Sequence, residues 1–394
     1  MDGRSEGSPP AVPRKAHRMA SPPLASSPRR EELTPPEPGA SDPGASASLP
    51  RRRSVLPLVL ALAVLTLGSV VCGVAFGAVQ VPFSDVLRLL RAAFTGGFIE
   101  PADLPRYQIV WQIRLPRVLL AVVVGAGLSA VGVASQALVR NALADPFVLG
   151  VSSGAAVGAT AVITMGVFAS FGIHAVSVAA FLGALLATAV VYLAARSPRG
   201  LTPLRLVLTG TAMAYGFTAI STVLVFFAAH GEAARSAMFW SFGSLGGATW
   251  ESLPVAAAVV ALGVGYLLAS ARRLNALAMG DETAATLGVD ATRMRRELFV
   301  VSAAVTGVLV AVSGAVGFVG LMMPHLTRML VGADHRRVLA VAPLLGGCLL
   351  IWVDLVARTL VPPEELPLGV LTAAFGVPLF LVLMRRRGYV FGGR

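Results

Sequence analysis

Apolar windows long enough to cross a bilayer, roughly 17 to 25 residues each, recur along the chain between short stretches rich in Gly, Pro and Arg. They fall near 56–78, 116–137, 147–168, 173–195, 204–228, 252–271, 297–314, 315–331, 338–361 and 366–384. This pattern predicts an all-α integral membrane protein with ten transmembrane helices. The seventh and eighth windows touch, but one run of about 34 residues is too long for a single crossing. The break is therefore placed at Gly314 to Gly317.

The first 50 residues depart from this pattern. They hold 11 prolines among Ser, Ala and Gly and almost no large apolar side chains, too little apolar surface to offset the entropy of ordering. Residues 1–53 are expected to form a disordered cytoplasmic tail, residues 54–388 the membrane domain, and 389–394 a short cytoplasmic C-terminal tail. The first apolar run starts at Leu56, behind Arg51, Arg52 and Arg53. That is too far along for a signal peptide and long enough to span, so it is expected to remain as an anchor.

Composition agrees: 56% of residues are hydrophobic, 13% are charged and the mean hydropathy is +0.77. A soluble domain needs far more polar surface. The net charge of +12 would suggest nucleic acid in a soluble protein, but its position decides otherwise. Six basic and six acidic residues cancel within residues 1–50, leaving the excess in the membrane part. With the N-terminus inside, nineteen arginines fall on the cytoplasmic side and seven outside, as the positive-inside rule requires. Both termini are then cytoplasmic, in the plasma membrane.

Candidate chemistry is sparse. Cys72 and Cys348 lie within apolar runs and read as small buried hydrophobes. The five histidines form no cluster with ligand spacing; His325 and His335 read as capping or packing residues, and no metal site is expected. The only lysine is Lys15, so the chain cannot carry a phosphate-binding loop with its lysine. It is not expected to be an enzyme, and any ATP-driven work needs another subunit. The spans are almost free of ionisable residues, whereas ion-coupled secondary transporters usually keep them at mid-membrane. Asp354 is the exception, with Arg358 placed to pair at i, i+4. Small residues four apart, Gly125 with Ser129 and Ala126 with Ala130, allow close helix approach. Trp240 and Trp250 read as residues of an outer aromatic belt.

One stretch fits none of this. "GDETAATLGVD", Gly280 to Asp290, is polar and helix-like between two apolar spans. Gly280 or Asp281 can cap a helix, Asp281 and Glu282 suit its positive first turn, and Gly288 can end it. About seven residues are marginal alone, so this helix needs a surface to lie on.

Four segments together carry a family resemblance: 113–159 ("IRLPRVLLAVVVGAGLSAVGVASQALVRNALADPFVLGVSSGAAVGA"), 277–290 ("LAMGDETAATLGVD"), 314–337 ("GAVGFVGLMMPHLTRMLVGADHRR") and 354–384. In this order they resemble the iron-siderophore, haem and vitamin B12 permeases of ATP-binding-cassette importers, the FecCD group. The resemblance covers roughly residues 54–388 and implies the ten-helix permease fold of that group. It further implies a homodimer or a heterodimer with a related permease, two ABC ATPase subunits inside, and an extracytoplasmic substrate-binding protein outside. No cofactor is implied in this chain, ATP and Mg belonging to the ATPase. By the same resemblance, Gly280, Asp281, Glu282, Thr283, Leu287 and Gly288 form the helix that couples to the ATPase. Arg114, Arg117 and Arg358 are implied to dock the binding protein, and Asn141, Leu143 and Thr202 to border the cytoplasmic gate. The cargo expected is a ferric siderophore, moved by alternating access; haem and cobalamin are alternatives, and an ion-coupled secondary transporter is the rival of another class.

Overall fold

The computed structural model describes residues 54–77, 79–197 and 200–386. The expected N-terminal tail and C-terminal tail lie outside them. The described chain is helical almost throughout. In order come α1 (Leu56–Ala75), α2 (Phe83–Thr95), α3 (Leu104–Tyr107), α4 (Leu115–Val139), α5 (Val151–Met165), α6 (Ala175–Ala195) and α7 (Pro203–Phe226). After these follow α8 (Gly231–Ser241), α9 (Ser252–Ala269), α10 (Ala271–Ala278), α11 (Asp281–Thr286), α12 (Ala291–Ser313), α13 (Val319–Val331), α14 (His335–Thr359) and α15 (Leu368–Arg386). We call the end that carries α11 the inner end.

Each of the ten apolar windows holds one helix. Seven helical runs are long and apolar enough to cross a membrane, and α5 and Leu368–Leu383 are shorter apolar helices. Helix α13 has only 13 residues and contains Pro324, so helix length alone does not establish ten crossings. The expected break is present: α12 ends at Ser313, Gly314 and Phe318 both take positive φ, and α13 starts at Val319. The second window is longer than its apolar pattern. A 3-10 turn at Pro101–Asp103 leads into α3, and a π-helical segment at Gln108–Arg114 joins α3 to α4, giving one helical run, Pro101–Val139.

Helix ends follow their sequence signals. Proline occupies the first turn of α1, α4 and α7, where a missing N–H costs nothing. Asp290 and Asp334 cap α12 and α14 by accepting from the Arg293 and Arg336 amides at 3.0 and 2.8 Å.

Helix α4 forms the axis of the fold. It is apolar all round and buried along most of its length, as expected for a helix surrounded by others. The close approach expected from Gly125 and Ser129 occurs against α14. A Cβ added at Gly125 would stand 2.1 Å from the Gly346 carbonyl oxygen, and one at Gly346 would stand 1.9 Å from Ser129 Oγ. Two apolar clusters share α4: an inner one with Leu138, Leu274, Leu277 and Met294, and an outer one with Leu89, Val110, Val118 and Leu309.

Candidate functional site

At the inner end the polar insertion is a helix of six residues, α11. Gly280 enters it at φ 118 and Gly288 leaves it at φ 76, a conformation that side chains disfavour. Its C-terminus closes as a Schellman motif, with Val289 N–H donating to Ala284 C=O at 2.8 Å and Gly288 N–H to Ala285 C=O at 3.0 Å. Ala284 is buried, whereas Glu282 and Leu287 are exposed, Leu287 by 61%. Thr283 is half-buried and its carbonyl accepts from Thr286 Oγ1. So α11 lies on the body of the protein by one face and offers an apolar tip to solvent.

Asp281 does more than complement the helix dipole. Its carboxylate accepts from Arg295 of α12 and stands 3.6 Å from Arg140. The Arg295 hydrogen bond, chiefly, holds the Asp281 carboxyl below the ordinary aspartate range. Arg140 ends α4 in the left-handed conformation, at φ 55, and starts the turn with Asn141 and Leu143. Asn141 Oδ1 accepts from Leu143 N–H at 2.8 Å, an Asx turn. Thr202 starts α7 and is half-buried. Its turn touches the same region, because a Cβ at Gly200 would stand 2.7 Å from the Thr292 side chain. Both turns expected to border the gate thus abut the α11–α12 segment. Sequence reading counted Arg140 and Arg295 only as inside charges, since the 14 residues from Asp281 to Arg295 hide a pairing that exists only in three dimensions.

Further along α4, irregular backbone meets irregular backbone. The turn Pro146–Leu149, capped by Asp145 through the Phe147 amide at 2.8 Å, lies against Gly317 and Gly320 before and within α13. Non-helical backbone at membrane depth is tolerated where protein covers it or where it lines a cavity. Here it lines one of about 450 Å³ with Asp145, Phe147, Thr211, Tyr215, Thr218 and Phe318 among its walls. A second cavity of about 480 Å³ holds Ser152, Ser153, Thr218, Ser221 and Thr222.

Both cavities open on α7, in which only Leu206 and Gly210 are buried. Thr211, Tyr215, Thr218 and Thr222 are exposed at i, i+4, i+7 and i+11, one side of the helix. The Thr218 and Thr222 hydroxyls donate to carbonyls four residues back at 2.8 and 2.9 Å. This wall is neutral and hydroxyl-lined, and it faces away from the chain's own core. Its spacing was legible in the sequence, yet hydropathy alone masked it inside an apolar window.

At the outer end the three arginines expected to face a docking protein are turned inward. Arg114, Arg117 and Arg358 are at most 6% exposed. Arg114 donates to the carbonyls of Val74, Ala75 and Val79, at 3.0 and 2.9 Å for the first two, and Arg358 donates to Gly73 O at 2.7 Å. Together they satisfy the carbonyls left open at the end of α1. Arg117 bridges Asp354 at 2.9 Å and the two oxygens of Glu365 at 2.8 and 3.0 Å. The expected Asp354–Arg358 pair is present at 3.1 Å, although its N–H is off the hydrogen-bond direction. The sequence placed these arginines correctly near the helix end. It could not show their rotation toward α1 and the 360–367 turn.

His335 packs as expected of a structural residue, with Asn275 Oδ1 accepting from its backbone N–H at 2.9 Å and 2.7 Å from its ring Nδ1. Among the described residues no group of three possible ligands could hold a metal ion.

This architecture has counterparts. The sequence profile of the FecCD transport family matches residues 63–386. The chain belongs to the FecCD transport family. It is 45% identical over 71% of its length to 74% of the cobalamin import system permease protein BtuC of Halobacterium salinarum. The hemin transport system permease protein HmuU of Yersinia pestis is 43% identical over 71% of this chain and 84% of its own. A solved structure described as a metal-chelate type ABC transporter in an inward-facing conformation superimposes with a TM-score of 0.72. It is 33% identical, over 84% of this chain and all of its own. This FecCD chain is accordingly a multi-span permease of ABC importers in the plasma membrane, and not an enzyme.

Proposed function

We propose that the chain works with two ABC ATPase subunits, seated at α11, and with a substrate-binding protein on the outer face. It admits a ferric siderophore or another bulky chelate by alternating access, with both termini cytoplasmic. The observation that carries this reading is α11, a short helix whose apolar tip is free while a single carboxylate ties it to the turn at Arg140. Such a helix needs an external partner to bury Leu287, and its tie gives that partner a mechanical route to the gate. The wall of α7 itself offers hydroxyls rather than the charges that ion coupling uses, and Asp145 is the carboxylate that shares its cavity.

The α7 wall is half of a path, so a second copy or a related permease faces it. The cargo class is supported by the neutral wall and by the names of the relatives, which place cobalamin and haem beside siderophores in any test panel. No site that chelates bare metal is needed, since the chelate is carried whole. Docking on the outer face has to engage or displace the Arg117–Glu365 fork, because Arg114 and Arg358 are committed to α1.

Two measurements test this reading. Leu287→Asp should insert normally but lose the co-purifying ATPase by at least about 30-fold, the scale of a hot-spot loss near 2 kcal/mol. Unchanged association would remove α11 from the interface. Uptake by vesicles bearing the assembled transporter, offered labelled ferric chelates, haem and cobalamin in parallel, identifies the cargo. Uptake that continues without an ATPase subunit would instead support the ion-coupled rival.

A further inference from the structure

Helix α2 has three faces. Val86 and Leu89 turn into the outer apolar cluster. Ser84, Arg88, Arg91 and Thr95 form an exposed polar face. Beside the buried face runs a stripe of Phe83, Leu87, Leu90 and Phe94, spaced as one side of a helix. Phe83, Leu87 and Phe94 are exposed, Phe94 by 75%. Folding has therefore left a large apolar stripe uncovered on a helix that already has its own buried face.

The surroundings say what covers it. Phe94 meets the ring of Trp111 edge-on at 5.3 Å, and Trp111 stacks on Tyr107 at 6.4 Å and meets, at 5.0 Å and tilted by 36°, the ring of Trp250, whose indole N–H donates to the Trp111 carbonyl at 2.9 Å. Trp and Tyr gather where a membrane protein passes from hydrocarbon to headgroups, and this group sits at the outer end of the α4 run. Phe83 and Phe76 share the wall of a cavity at the end of α1, and α1 itself exposes Leu67, Val64 and Leu60. The stripe therefore lies at the level of the aromatic group, beside a span whose own exposed side chains are apolar. Its roll angle is held from the polar side, where Arg88 pairs with Asp103 at 2.8 Å and Arg106 with Asp85 at 2.9 Å. An amphipathic helix with cations on its polar face and Phe and Leu on the other is suited to lie in the interface plane.

We propose that α2 is an in-plane membrane anchor, with Phe83, Leu87, Leu90 and Phe94 set into the boundary of the adjacent leaflet. Ser84, Arg88 and Arg91 face headgroups and water. The occupant of the stripe is lipid. That the leaflet is the outer one rests on the orientation proposed above; the depth does not. Anchoring fixes the height of residues 79–107 against the bilayer and so steadies the end of α1 that Arg114 caps.

The test places one nitroxide at a time on the full-length chain in phospholipid vesicles, at Leu87, Phe94, Ser84 or Arg91, after Cys72→Ala and Cys348→Ala. Collision with oxygen, which concentrates among acyl chains, is compared with collision with a water-soluble nickel chelate. The oxygen-to-nickel ratio should be several-fold higher at Leu87 and Phe94 than at Ser84 and Arg91. Nickel dominating at Leu87 and Phe94 would put the stripe in water. Exclusion of both reagents would show that protein covers it, a second copy or the binding protein. Because Cys348 is buried against Ser69, Phe94→Trp with native cysteines provides an independent reading. Its added fluorescence should be quenched by brominated lipid and spared by aqueous acrylamide, and the reverse would overturn the anchor.

Discussion

Two ionic clusters lie at opposite ends of this permease, and they differ in burial before they differ in anything else. The outer one joins Arg117, Asp354, Arg358 and Glu365; Asp354 is fully buried, and only Glu365 reaches the surface. The inner one joins Arg140, Asp281 and Arg295; the Arg140 and Asp281 side chains are 43% and 50% exposed, whereas that of Arg295 is 4% exposed. Charges removed from water hold their partners tightly because nothing else can solvate them. Half-exposed charges are held loosely and can exchange partners at little cost. The outer cluster therefore acts as a clamp on α1, α4, α14 and the 360–367 turn. In the inner one only the contact of Asp281 with Arg140 is of that loose kind, since Arg295 is buried.

The contrast can be broken most severely at Asp354. Asp354→Ala leaves two buried guanidiniums facing one another with only Glu365 between them and water. It should destabilise the fold by about 3–5 kcal/mol, the scale of a broken buried pair, measured as lost thermal stability in detergent. A variant as stable as the parent would mean that water reaches the cluster. A milder probe of the same cluster is Glu365→Gln. Arg117 keeps Asp354 at 2.9 Å, and the lost fork is partly screened, so about 1 kcal/mol is expected.

Acidity sharpens the comparison with the smallest effect. The Arg295 hydrogen bond depresses the Asp281 carboxyl, and the Arg117 hydrogen bond does the same for Glu365. A depressed folded value means that each contribution is complete above the ordinary carboxylate range and is lost as pH falls through the folded value. These two contributions should therefore be flat between about pH 5 and 8 and decline only below about pH 4, while His335, which burial holds down to about 4, adds a separate loss of stability as pH falls below about 6.5. A titration centred near neutrality would point to other groups.

Much of this was legible in the residues. The ten windows each contain a helix, the Gly314 to Gly317 break is real, and Gly288 ends α11 as its type demands. The Asp354–Arg358 pair followed from spacing alone. Local chemistry sets these features, and local chemistry is what a sequence displays. What was missed is rotational or long-range. Apolar windows do not show that α5 and α13 are only 15 and 13 residues long, because Gly, Pro and short polar residues interrupt helices without lowering hydropathy enough to notice. The inward turn of Arg114 and Arg358 depends on carbonyls at 73–79, 35 to 285 residues away in sequence. Glu365 entered no expectation, since only the folded turn brings it to Arg117.

The tie between α11 and the turn at Arg140, proposed to border the gate, is tested most directly at Asp281. ATP hydrolysis and chelate uptake should be measured together in vesicles containing the assembled transporter with Asp281→Asn. The substitution keeps the size of the side chain and removes the charge that holds Arg140 and Arg295. The amide oxygen can still accept from the buried Arg295, and the contact with Arg140 is half-exposed, so stability should fall by about 1–2 kcal/mol and the ATPase should stay bound through Leu287. We expect uptake per ATP hydrolysed to fall by roughly tenfold, which corresponds to about 1.4 kcal/mol of lost coupling. Uptake per ATP equal to that of the parent would contradict the tie and would leave Asp281 as a helix cap and nothing more.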